Sequence, residues 1–354
     1  MKRCKKCALP ETYPGIDFDK HDICNYCNYL RASKDMRDSL REGLKKQFYA
    51  LIDEIKSRSK DYDCVVCYSG GKDSTFLLMQ LKKKFDLRIM AYTLDNGFIS
   101  KKTLENIRNM TEFLDVDHVM FKPRQKVVNG IFRDTITQKI QYPTELISML
   151  SPLCTACQGM VLGFAVRFAM DKDIPIVFVG FTPGQYPDVS YENFLKSKSC
   201  IYLTDTVHKD DPPDIIKMIR DPIDEISGEE AGKYYFKSQY LNKGEKYPHI
   251  LFPFQTVFKY DEKTIYDEIK KIGWKKPEDT DACSTNCLIN TLGNYAFMKQ
   301  YKYHPYIAEI SALVRDGLLP IKSVPKLEKI NENSKTMKYC LKKLGLTKKD
   351  IVAK

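Results

Sequence analysis

The 354-residue sequence predicts an α/β fold built on a doubly wound parallel sheet, and three observations carry that prediction. Short apolar, β-rich runs alternate with helix-period stretches between about residue 62 and residue 180. A paired-glycine turn joins the first of these strands to its helix, the arrangement that presents backbone amides to an anion. A hydrophobic content of 43% is enough for a sizeable core, and the length fits one α/β domain with appended modules.

Taken in order, residues 1–30 form a cysteine module with little periodicity, expected to be a zinc-binding ribbon. Residues 31–60 read as a charged helical connector, with Leu40, Leu44, Phe48, Leu51 and Ile55 near helical spacing. The nucleotide-binding domain is expected over 61–255. It has a strand at 62–68, a helix to about 84, a strand at 87–94 and a helix from about 101 to 114. A strand at 118–122, a helical 124–150 region, a helix over about 157–171 and a strand at 174–180 complete the series. Residues 181–250 are rich in breakers and read as a substrate cover. A helical C-terminal region with a basic tail is expected over 256–354.

Ligands of doubly wound sheets sit beyond the carboxyl ends of the strands, where the strand order switches. The first strand ends there in Ser69-Gly70-Gly71-Lys72-Asp73-Ser74. The glycines let backbone approach an anion, the helix dipole favours negative charge, and Ser69 and Ser74 add hydroxyl donors. Lys72 adds a mobile cation and Asp73 a carboxylate suited to Mg²⁺. The motif is not a Walker loop, because GxxxxGK(S/T) is absent. Asp95-Asn96-Gly97 closes the second strand beside the same place, which makes Asp95 a candidate site residue.

The cysteines form two constellations. Cys4-x2-Cys7 and Cys24-x2-Cys27 have the spacing of two knuckles closing a four-thiolate structural Zn²⁺ site, and a segment this poor in core formers needs metal to fold. Cys154 and Cys157 open a helix on the ligand side of the sheet, and Cys283 and Cys287 follow a turn and are expected to open another. Thiolates at helix N-termini have lowered pKa values. These four could hold a second Zn²⁺ or a [4Fe–4S] cluster. Cys64 and Cys67 alternate on one strand and read as core.

Net charge is +11, of which the stretch from Lys322 to the C-terminus, with ten lysines and three acids, supplies +7. That stretch reads either as a solvated, helical or frayed tail or as a patch for RNA or another anionic partner. No run of 18 apolar residues exists, and Met1-Lys2-Arg3-Cys4 is not followed by an apolar signal segment, so a cytoplasmic chain without a membrane partner is expected.

Ser69–Ser74, read as SGGKDS, matches the pyrophosphate-binding loop of the PP-loop ATP pyrophosphatases, a superfamily with an adenine nucleotide alpha hydrolase-like fold. The resemblance implies ATP cleavage between the α- and β-phosphates, with Lys72 and Asp73 catalytic and Ser69–Ser74 and Asp95 around the nucleotide. The run Cys4–Cys27, with Pro10, Pro14-Gly15-Ile16 and Phe18-Asp19, resembles the N-acetyl sugar amidotransferases, which take ammonia from a glutaminase partner. The overall cysteine layout is similar to the cluster-dependent tRNA thiolases. For these, Cys154 and Cys157 match the middle pair, Cys283 or Cys287 the later cysteine, and a sulfur donor is the partner. Phe181-Thr182-Pro183-Gly184-Gln185 departs from the Gly-His-x-x-Asp-Asp element of the thiolases. The resemblance covers roughly residues 1–185 and also implies a homodimer as one arrangement. Sulfur insertion into an adenylated carbonyl, on a small molecule or RNA, is the favoured expectation. It gives the Cys154/Cys157 and Cys283/Cys287 sets work that nitrogen insertion leaves undone, and Cys154 and Cys157 then count as catalytic. Nitrogen transfer to an N-acyl sugar is the alternative, and a nucleic-acid-binding zinc protein a remote one.

Overall fold

The computed structural model describes residues 1–32, 34–147, 150–183, 185, 223, 225–228, 230–235 and 247–352. Five parallel strands form one sheet in the order β3-β2-β1-β4-β5. They are β1 (Cys64–Cys67), β2 (Ile89–Leu94), β3 (Asp117–Phe121), β4 (Ile176–Val179) and β5 (His249–Leu251). The helices are α1 (Asn25–Ala32), α2 (Lys34–Arg58), α3 (Lys72–Phe85), α4 (Lys101–Phe113), α5 (Gln125–Ile136), α6 (Thr144–Ile147) and α7 (Pro152–Asp171). After β5 follow α8 (Pro253–Thr256), α9 (Glu262–Lys271), α10 (Asn290–Tyr301), α11 (Ile307–Arg315), α12 (Val324–Leu327) and α13 (Lys335–Leu344).

Strand β1 is buried at all four positions, as a central parallel strand covered on both faces must be. Its residues alternate between two cores. Val65 and Cys67 join Tyr92, Val177 and Val179 on one face, under α5, α7 and α10. Cys64 and Val66 join Ile89, Ala91 and Phe178 on the other, under α3 and α2. The stretch read as a connector is thus a layer of the sheet: Phe48 of α2 packs on Phe85 at 5.5 Å and Phe178 at 6.1 Å. The described part of the basic tail is packed as well. Of the solvated, helical or frayed alternatives this stretch is helical, and Met337, Cys340 and Leu344 of α13 are buried rather than frayed.

Strand β5 was not foreseen; three residues are too short to register as a periodic signal. Cys283 and Cys287 do not open a helix, because α10 begins only at Asn290. Instead Cys287 makes a β-bridge with Ile99. Most of the substrate-cover expectation, together with Cys200, lies outside the described residues. Helix α7 is the one described helix long and apolar enough to cross a membrane, and more than half of it is buried inside the protein as the layer under the sheet.

Candidate functional site

The strand order switches between β1 and β4, and the SGGKDS turn leaves β1 at that crevice. Gly70 adopts φ +74°, the left-handed region that glycine enters without strain, and Gly71 serves as N-cap of α3. The Ser69 and Ser74 hydroxyls lie 3.0 Å apart, and the Ser69 amide donates to Ser74 Oγ at 3.2 Å. Gly180, just past β4, abuts the turn so closely that a Cβ there would lie 3.4 Å from Ser74 Cα.

Lys72 is buried, with Nζ 2.8 Å from Asp73 Oδ2 and 3.6 Å from Glu262 Oε1. Burial pulls its ammonium down, but Asp73, Tyr260 and Glu262 outweigh that and hold it well above the ordinary lysine value. The other Asp73 oxygen accepts from the Tyr260 hydroxyl at 3.2 Å. Lys72 therefore stays protonated at the turn, a cation available to an anionic ligand.

Two further segments complete the crevice, through contacts that sequence reading did not foresee. The stretch between α9 and α10 lies across the turn: Trp274 Nε1 donates to the Gly70 carbonyl at 3.0 Å, and the Lys72 amide donates to Thr285 Oγ1 at 3.0 Å. It is stitched to the start of α4, with Ser100 N donating to Asn286 O and the Ser100 hydroxyl donating to Asp279. Helix α11 contributes Tyr306 and Glu309. Glu309 accepts from Thr182 Oγ1 at 2.6 Å and Gln185 Nε2 at 3.1 Å, and burial pushes its carboxyl up to about 7 against the pull of Lys72. A lone tryptophan, and a Thr-Pro-Gly-Gln where thiolases carry another element, were the only sequence signals for these contacts.

A cavity of about 210 Å³ fills the crevice, lined by Ser69, Gly71, Lys72, Asp73 and Ser74 on one side and by Cys154, Cys157, Cys283 and Cys287 on the other. The phosphate turn and the second cysteine set thus share one space. Asn96 Nδ2 stands between two of the sulfurs, 3.4 Å from Cys157 and 3.6 Å from Cys287, so those sulfurs are no more than about 7 Å apart. Cys154 Sγ meets Asn290 Oδ1 at 3.3 Å, where the Tyr306 hydroxyl also donates. Cys283 Sγ faces the Leu327 carbonyl at 3.7 Å. Asp95 is outside the lining. It pairs with Lys122 at 2.8 Å and accepts from the Gly97 amide, and its neighbour Asn96 faces the cavity instead.

The four cavity thiols depart from the helix-terminus expectation. Burial pushes Cys154 up to about 12 and raises Cys157, Cys283 and Cys287, outweighing the Ser151 hydroxyl at Cys154 and the Asn96 amide at Cys157 and Cys287. Without a bound cation they are neutral thiols.

The N-terminal set has a different geometry. Cys4 Sγ lies 3.9 Å from Cys27 Sγ and Cys7 Sγ 3.7 Å from Cys24 Sγ, and all four sulfurs fall within 4.8 Å of one another. A tetrahedral ion with metal–sulfur bonds of about 2.3 Å requires sulfur–sulfur edges of about 3.8 Å, so the donor set fits a four-coordinate metal. The Cys24 amide donates to Cys4 Sγ at 3.3 Å and the Cys27 amide to Cys24 Sγ at 3.4 Å, contacts that favour thiolates. Among the described residues no second group of cysteines, histidines or acids closes as tightly. The module docks on the C-terminal helices through Arg3–Glu328 at 3.0 Å and the rings of Tyr13 and Tyr303.

Comparison with known proteins agrees with this arrangement. The family model of the queuosine biosynthesis protein QueC matches residues 63–216. An uncharacterized protein of Methanocaldococcus jannaschii is 25% identical over 330 residues, 92% of this chain and 93% of that protein. The glutamine-hydrolyzing GMP synthase of Pyrobaculum aerophilum is 24% identical over 119 residues, 34% of this chain and 23% of that one. Among solved structures, the U34-tRNA thiolase NcsA of Methanococcus maripaludis with its [4Fe–4S] cluster aligns at 14% identity and a TM-score of 0.37, covering 95% of this chain and 92% of that one. The SGGKDS turn, its place at the switch point of a parallel sheet and the family match over residues 63–216 make that part of the chain similar to the PP-loop ATP pyrophosphatases, a superfamily of ATP-using enzymes.

Proposed function

We propose that the protein adenylates a carbonyl oxygen of an acceptor with release of pyrophosphate and then replaces that oxygen with sulfur. The observation that carries the reading is the single cavity shared by Ser69–Ser74 and by Cys154, Cys157 and Cys287. The β- and γ-phosphates would sit on the turn, with Lys72 neutralising charge and Asp73 holding Mg²⁺. The carbonyl oxygen bonds to the α-phosphorus as the bond to pyrophosphate breaks. Sulfur then adds to the carbon, and the carbon–oxygen bond breaks so that the oxygen departs in AMP. Holding both reactants in one dry space makes the second step effectively unimolecular.

In this reading the N-terminal cysteines hold structural Zn²⁺. Cys154, Cys157 and Cys287 hold an iron–sulfur cluster, whose chemistry is to bind and deliver sulfide at an open iron. Among the described residues these three sulfurs do not all lie within 4.8 Å of one another as the N-terminal four do, which favours a cluster over a second single zinc ion. Cys287 rather than Cys283 is the third ligand, because it shares Asn96 with Cys157 while Cys283 turns toward Leu327. The acceptor is a small molecule or RNA bearing a carbonyl, and the cell compartment is the cytoplasm.

Labelled sulfide with Mg-ATP and either bulk tRNA or small-molecule amides tests this. The expected result is ATP-dependent transfer of label with one AMP per sulfur, abolished in Cys157→Ala. ATP-dependent incorporation of labelled ammonia instead, undiminished in Cys157→Ala, would assign the protein to amide-nitrogen transfer, the reading that the resemblance of the zinc module supports.

A further inference from the structure

The cavity floor carries a side chain that neither phosphate binding nor cysteine ligation explains. Tyr92 stands beside Cys67 in the β1–β2 register and lines the cavity. Its side chain is 3% exposed, and its hydroxyl is sealed from solvent without a hydrogen-bond partner. An unsatisfied buried hydroxyl is destabilising, a cost that phenylalanine at this position would avoid. The thiols bearing on the phenol are those of Cys67 and Cys157.

Cys157 has Asn96 as its donor in the structure. Asn96 is oriented by its own Oδ1, which accepts from the Phe98 amide at 2.9 Å, so that Nδ2 is directed at Cys157 and Cys287. A neutral thiol is a weak acceptor, and a donor directed at it gains little. A metal-bound thiolate is a strong one, and hydrogen bonds to ligating sulfurs are what tune such sites.

We propose that Tyr92 donates to Cys157 Sγ when that sulfur is a metal-bound thiolate, so that Tyr92 and Asn96 act as a pair of positioning donors for the second cysteine site. This rests on the reading of Cys154, Cys157 and Cys287 as cluster ligands. The Tyr92 hydroxyl, without a partner among the described protein atoms, would find one in that thiolate. Tyr92 touches no reacting atom, and its effect runs through the ligand sulfur.

The test uses full-length protein reconstituted anaerobically with ferrous iron and sulfide. Iron loss to a chelator and the midpoint potential are the readouts, and metal retained by Cys4, Cys7, Cys24 and Cys27 is the internal reference. In Tyr92→Phe, iron loss should quicken about tenfold and the potential should fall, because a hydrogen bond to ligating sulfur raises it. Metal on the N-terminal set should not change. The metal-free variant should be at least as stable as the wild type, since an unsatisfied hydroxyl has been removed, whereas a packing role would lower its stability. Unchanged iron loss and potential in Tyr92→Phe overturn the proposal while the cluster reading stands. A wild-type protein that takes up no iron and sulfide overturns both.

Discussion

Replacing Gly70 by alanine tests whether the phosphate turn is built as described. At φ +74° an L side chain costs about 1–2 kcal/mol in backbone strain alone. The added Cβ would lie 2.5 Å from Ile107 Cγ1 and 2.8 Å from Thr103 Cγ2. Both neighbours are buried on α4, and both are β-branched and stiff at χ1, so neither can swing away. Overpacking of this kind adds about 1–3 kcal/mol, which gives a total loss of about 2–5 kcal/mol. Gly130→Ala is the control: it sits within α5 with nothing within 4 Å of its added Cβ, and should stabilise by about 0.5–1 kcal/mol. Urea unfolding followed by the fluorescence of the single tryptophan gives both numbers. The same Gly70→Ala protein, titrated with Mg-ATP under native conditions, should bind more weakly because the turn has shifted against α4. A loss below about 1 kcal/mol with wild-type ATP affinity would refute the geometry, since overpacking against two stiff, buried side chains leaves no route to so small an effect.

Three further outcomes are expected. Because Trp274 Nε1 donates to the Gly70 carbonyl, Mg-ATP should change the tryptophan emission of the wild type but not of Lys72→Ala; a flat wild-type titration would separate Trp274 from the ATP site. Glu309, with its carboxyl raised to about 7, keeps its proton in the folded state while the unfolded chain loses it near 4.5, so wild-type stability should fall, relative to Glu309→Gln, as pH rises from about 4.5 to 7. His304, lowered to about 4 by burial, has the opposite slope below 6.5, but it is common to both proteins and cancels in the difference; parallel urea midpoints across that range would contradict the assignment. Truncation after Pro320 removes buried Met337, Cys340 and Leu344, at roughly 1.5–3 kcal/mol for each large apolar side chain, and should therefore unfold or aggregate the protein rather than trim a loose tail; light scattering decides.

What could be read from the sequence was local. The strand–turn–helix around Ser69–Ser74, the alternation of Cys64 and Cys67 and the N-terminal knuckles each depend on neighbours in the chain, and all three stand in the structure. Contacts across long separations were not legible. Nothing in the pattern around Thr285 shows that its hydroxyl takes the Lys72 amide 213 residues away, or that Glu309 braces Gln185. Asp95 was singled out by the family resemblance at the end of the second strand, and there the structure gives the carboxylate to Lys122 and the neighbouring Asn96 to the cavity. The cavity thiols were misjudged too: a helix start is visible in sequence, but the burial that overrides its dipole is not.

The most direct test is an iron, zinc and acid-labile sulfide analysis of anaerobically purified protein beside the Cys154→Ala, Cys157→Ala, Cys287→Ala triple variant. The account predicts iron and sulfide in the wild type, their loss in the variant, and one zinc on Cys4, Cys7, Cys24 and Cys27 in both. A colourless wild-type protein that holds zinc alone and still forms AMP at full rate would contradict it.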